Sequence, residues 1–142
     1  MIATACDFNP EKATIELHNV DFSLKDEELL AILVEGIIPK TDTPGAKDLN
    51  LQLFVMKMVD DCESPEQQKL FLAGLKNAHQ STLDSADAAL AYLEGLPNED
   101  VFLTILKART VQGYLNSEYV MTEQIKYELV PGRYDGAVKI NG

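Results

Sequence analysis

Apolar residues recur along this chain at helical spacing far more often than in alternation. Leu29, Leu30, Leu33, Val34, Ile37 and Ile38 form one stripe and predict an amphipathic helix. Ser23 is placed to cap its start, Asp26 and Glu27 suit the positive end of the dipole, and Pro39 stops it. A second apolar run over about 49–62, with Leu49, Leu53, Phe54, Met56 and Val59, leaves little polar surface on its flanks. It reads as the most buried helix.

Ser64-Pro65-Glu66-Gln67 has capping-box spacing with Pro at the first helical position, so a third helix is expected over about 65–80. The Ala-rich stretch 84–95 predicts a short fourth helix ended by Gly95 and Pro97. Asn98 is expected to cap a long fifth one over about 99–116, in which Val101, Phe102, Ile105, Leu106, Val111 and Leu115 fall near helical spacing. Gly113 near its end suggests close packing, and 119–128 can add a helical turn or two. Val130-Pro131-Gly132-Arg133-Tyr134 is a Pro-Gly turn leading into an irregular tail.

Only the beginning departs from helical spacing. Thr14-Ile15-Glu16-Leu17 alternates, either as a brief strand or as an extended arm lying on the body. The expected architecture is therefore an all-α, single-domain bundle of five to six helices. Residues 1–22 are expected to be an N-terminal arm or linker after an export signal that this sequence does not contain, and 23–142 the helical domain with its C-terminal tail. A length of 142 residues with 46% hydrophobic content suits one core.

Charge narrows the partners. The net charge of −11 disfavours nucleic acid and anionic membrane surfaces, both of which need clustered Lys and Arg. It is unevenly spread: residues 1–100 carry 19 acids and 7 bases, a balance of −12, whereas 101–142 carry 4 acids and 5 bases, or +1. No apolar run reaches the length of a membrane span, and residues 1–8 are too short for a complete signal peptide. Ala3-Thr4-Ala5-Cys6 faintly resembles a lipoprotein cleavage site, which would attach an N-terminal lipid. Cys6 and Cys62 can form at most one disulfide and do not identify a redox compartment.

Catalytic chemistry is sparse. The chain has no Gly-rich dinucleotide loop, phosphate loop, paired Cys-x-x-Cys or His-Glu-x-x-His. His18 and His79 are isolated in sequence and read as surface histidines. Asp60-Asp61-Cys62-Glu63 opposes the helix dipole; it is either a metal site or a solvated helix end with Cys62 packed as a small hydrophobe. Asp42, between Thr41 and Thr43, is either a general base or a loop-capping carboxylate. Tyr114, Tyr119, Tyr127 and Tyr134 gather near Arg109 and Arg133, a composition of interfaces that also suits rings covering their own core.

Two blocks carry a family resemblance. Ile37-Ile38-Pro39-Lys40-Thr41-Asp42-Thr43-Pro44-Gly45-Ala46 resembles the loop after the first helix in the gluconate 2-dehydrogenase subunit 3 family. Arg109-Thr110-Val111-Gln112-Gly113-Tyr114-Leu115-Asn116-Ser117 resembles that family's later helix end, and Val130 to Tyr134 its closing turn. The likeness spans roughly 23–136, least securely over 63–98.

The resemblance implies a small subunit with no catalytic residues and no cofactor or metal of its own. It would accompany a large FAD-dependent flavoprotein of the glucose–methanol–choline type that oxidises sugars, sugar acids or glycosides, with a cytochrome c as a further partner. It also implies a bacterial, periplasmic or exported location reached through a twin-arginine signal. The matched positions Pro39, Asp42, Pro44, Gly45, Arg109, Gly113, Tyr114, Pro131, Gly132, Arg133 and Tyr134 are then the expected partner interface or fold signature. The competing readings are a helical envelope adaptor without a redox role and a metal-dependent hydrolase using Asp60, Asp61 and Glu63.

Overall fold

The computed structural model describes residues 12–125, and these form a helical bundle in which no regular strand occurs. The helices are α1 (Leu24–Ile37), α2 (Leu51–Cys62), α3 (Pro65–Ala78), α4 (Ala86–Glu94) and α5 (Val101–Leu115), followed by a short π-helix, Val120–Gln124. Cys6, Tyr127, Pro131, Gly132, Arg133 and Tyr134 lie outside the described residues.

Local chemistry sets most helix starts. Ser23 and Asp26 form a reciprocal capping box on α1, as do Ser64 and Gln67 on α3, each satisfying amides that would otherwise lack partners. Ser85 caps α4. The cap of α5 is Asp100, whose carboxylate accepts from Leu103 N–H at 3.0 Å, and not the expected Asn98. Asn98 instead falls within the tight turn that Asp100 N–H closes onto Pro97 O at 3.0 Å. Helix α2 begins two residues later than its apolar pattern suggests because Asn50 is left-handed, with φ of 53°, a conformation Asn tolerates better than most residues.

Helix α5 packs against α1, α2 and α3, while α4 packs on α1. The core between them holds Leu30, Leu33, Val34, Val55, Met56, Val59, Phe71, Leu75, Phe102 and Leu106. Phe71 bridges Phe22 and Phe102, with ring centroids 6.3 and 5.1 Å away, in the tilted arrangements aromatic quadrupoles favour. Gly74 of α3 lies directly against the Phe102 ring.

The arm ahead of α1 is extended and joined to that helix by an isolated antiparallel bridge between Lys12 and Ser23 and by Thr14, whose N–H and hydroxyl donate to the Glu27 carboxylate at 2.8 and 2.9 Å. Its alternation is used as a packing device: Ile15 and Leu17 lean on the core while Thr14 and Glu16 face solvent. Val20 and Phe22 are fully part of the core. Asp60 of α2 fastens this arm, accepting from the backbone N–H groups of His18, Asn19 and Val20 at 2.9, 2.6 and 2.9 Å. The expected solvated helix end is thus half wrong: Asp60 is 1% exposed, whereas Cys62, expected to be packed, is exposed. An acid at the negative end of a helix is tolerable here because three amides face it.

Candidate functional site

The Ile38–Asn50 connection is built around a carboxylate that sequence reading passed over. Glu35, in the last turn of α1, accepts from Lys40 N–H at 2.9 Å and Lys47 N–H at 2.8 Å. Both ends of the loop are thereby stapled to one side chain. Gly45 sits flat on that carboxylate, and a Cβ there would also lie 2.7 Å from the Lys40 nitrogen. This close approach requires Gly. Ala46 N–H closes the loop onto Ile38 O at 2.9 Å, and Lys40 pairs with Asp48 at 3.0 Å on the surface, with Lys40 holding the Asp48 carboxyl below its ordinary pKa.

Asp42 neither caps nor braces this loop. It is exposed, and the tip is closed instead by Thr41 N–H donating to Thr43 O at 3.0 Å and Thr43 N–H to Thr41 Oγ1 at 3.4 Å. Pro39 is exposed just past the end of α1, and Pro44 is half-buried.

The second sequence block meets the first through one side chain. Tyr114 on α5 donates from its hydroxyl to Thr43 Oγ1 at 3.3 Å, across 71 residues of chain. Its neighbour Gly113 is buried against Phe54 of α2, where a Cβ would come within 2.7 Å of Phe54 Cδ1. Phe54 and Thr43 are therefore parts of the site that the nominated residues did not include. Beside Gly113 opens a groove of about 600 Å3, floored by Leu49, Leu51 and Phe54 and rimmed by Ser117, Tyr119 and Glu123.

Arg109 is turned elsewhere. Its Nε and Nη2 donate to Glu63 Oε1 at 2.9 and 2.7 Å, and Nη1 donates to Gln112 Oε1 at 2.8 Å. The guanidinium thus ties α5 to the α2–α3 junction, with Glu63 almost fully covered. Of the described nominees, Pro39, Asp42, Pro44 and Gly45 lie in the loop after α1, Tyr114 reaches it through Thr43, Gly113 packs on Phe54 of α2, and Arg109 lies at a separate seam with Glu63.

The acidic run at the end of α2 is divided among three partners. Asp60 holds the arm, Asp61 pairs with Lys57 at 3.2 Å, and Glu63 holds Arg109. Burial pushes the Asp60 carboxyl up, but the amides of His18, Asn19 and Val20, aided by Lys57, outweigh it and hold it below its ordinary 3.8. Among the described residues no three His, Cys, Asp or Glu side chains converge at metal-binding distance. His79, isolated in sequence, meets Asp26 at 2.7 Å. Burial raises the Asp26 carboxyl, and bonds from Ser23 and His79 lower it further than that.

No described helix is long and apolar enough to cross a membrane. A family model described as gluconate 2-dehydrogenase subunit 3 matches residues 25–132. No curated protein and no solved structure matches the chain.

Proposed function

The chain belongs to the gluconate 2-dehydrogenase subunit 3 family, and from that membership we propose that it is the non-catalytic small subunit of a dehydrogenase complex. In this reading it binds and stabilises a larger FAD-dependent subunit of the glucose–methanol–choline type and helps to export it. The larger subunit holds the flavin and oxidises a sugar, sugar acid or glycoside. A cytochrome c receives the electrons, and the assembled complex works in the periplasm.

The observation that carries the reading is the joining of the two resembling blocks. The Thr41–Ala46 loop and the Gly113–Tyr114 helix end, far apart in sequence, meet at the Tyr114–Thr43 hydrogen bond, and Gly113 lines the adjoining groove. A polar, hydroxyl-rich surface with an aromatic ring and an apolar floor suits protein recognition. The loop's rigidity serves the same end, since a preformed surface loses little entropy on binding.

Co-expression with a candidate large flavoprotein dehydrogenase subunit from the same genome tests the proposal. The two are expected to co-purify, and the larger subunit is expected to gain FAD content, solubility and activity compared with its expression alone. Absence of a complex together with unchanged yield and activity of the larger subunit would dispose of the reading.

A further inference from the structure

The groove beside Gly113 is walled by the stretch at which the described residues end. Leu49 and Phe54 on its floor are only half-buried, and Thr122 and Glu123 belong to its wall. Ile125, two residues on, is extended, with φ of −114° and ψ of 134°, and is 46% exposed. The chain therefore leaves the π-helix at the rim of the groove, with residues 126–142 still to follow. The Val130–Tyr134 turn block, which the site described above does not include, begins five residues after that exit. The stretch shared with the family likewise runs past Ile125, to residue 132.

Chemistry and tethering select an occupant. An apolar floor open to water is stabilised by an apolar cover, and the segment after Ile125 brings Tyr127, Leu129, Val130 and Tyr134 within nine residues. Its charge is complementary as well. Residues 126–142 carry three bases and two acids, whereas residues 1–125 balance at −12 and the groove is rimmed by Glu118 and Glu123. Tyr127 follows Glu123 by only four residues, and so short a tether gives an effective concentration on the order of millimolar. A separate chain must first lose its translational freedom, and a second copy also brings another net charge of −11 against the first.

We propose that the chain's own segment Lys126–Tyr134 packs back into this groove, with Tyr127 and Leu129 over Leu49 and Phe54 and Arg133 toward Glu118 and Glu123. The third sequence block then completes the domain beside the other two. The occupant belongs to this chain, so the inference does not rest on the subunit reading above. It leaves the exposed loop tip at Thr41 and Asp42 as the part of that surface open to a larger subunit.

The test is nuclear Overhauser spectroscopy on the isotope-labelled full chain, with melting of variants measured in parallel. Cross-peaks are expected from the side chains of Tyr127 and Leu129 to those of Leu49, Leu51 and Phe54. Leu129→Asp is expected to lower the melting temperature by about 4 °C or more. Leu90→Asp, on the exposed side of α4, is expected to leave it unchanged. Arg133→Glu should lower it by about 1–2 °C at low salt and less at high salt.

Absence of those cross-peaks overturns the proposal, as do cross-peaks from Tyr127 and Leu129 to Val111 and Leu115 on the outer side of α5 instead. Cross-peaks that arise only between labelled and unlabelled copies in a mixed sample assign the groove to a second copy and overturn it too. Unchanged melting of Leu129→Asp shows that the segment covers nothing apolar, with the same consequence. None of these outcomes bears on the subunit reading, which co-expression decides.

Discussion

At the scale of single residues, Glu63 and Arg109 form an ion pair in which the carboxylate is almost fully covered. Removing the guanidinium leaves a covered carboxylate without its cation, a loss that ranks among the costlier single changes. Arg109→Ala is expected to destabilise the chain by about 2–3 kcal/mol in urea unfolding, and the Arg109→Ala, Glu63→Ala pair to be less damaging than the sum of the two singles. Strict additivity would show that the ion pair contributes nothing. No local pattern in the sequence announces this pairing. Which acid it would be depends on how α2 and α5 cross, and 46 residues separate the partners. His79 and Asp26, 53 residues apart, were hidden for the same reason.

Elements were far more legible where their signals are local. Both capping boxes lie within four residues and set the starts of α1 and α3 where the pattern puts them. Helix α5 was legible as a helix but not in its orientation. Its apolar residues read as a single set, yet Phe102, Ile105 and Leu106 face the core while Val111 and Leu115 face out, and periodicity cannot divide a helix that is apolar on both sides. The loop after α1 was recognisable from Pro39, Pro44 and Gly45, but its keystone Glu35 lay outside the motif. The misplaced acid at a helix C-terminus was the available signal. Gly45→Ala is expected to cost about 2 kcal/mol through the clash with Glu35 and Lys40, read as a lowered urea midpoint, and an unchanged midpoint would mean that the staple is slack.

The arm is an element whose attachment depends on pH. Because the folded Asp60 carboxyl lies below its ordinary 3.8, its contribution is complete above that value and is lost as pH falls through the lower, folded one. Amides 18–20 are therefore expected to exchange hydrogen slowly at pH 6 and to lose protection progressively as pH falls below the ordinary carboxylate range of about 4, before the amides of α2 do. The Asp60→Asn variant should show the weakened clasp already at pH 6, since an amide presents one acceptor oxygen where the carboxylate presents two.

On the scale of the whole molecule, an all-α bundle follows from composition and periodicity, and the family from two short blocks whose spatial meeting no pattern announces. Tyr114 and Thr43 become neighbours only through the packing of α5 on α2. Long-range closure also governs the arm, which enters the core at Val20 and Phe22 and is locked by a residue 40 positions later. The arm thereby defines a load path. Tension on the chain ahead of residue 12 is taken first by the Lys12–Ser23 bridge and by Thr14 bonded to Glu27 in the first turn of α1, so a preceding segment pulls directly on the bundle's opening helix while the Asp60 clasp behind it stays unloaded.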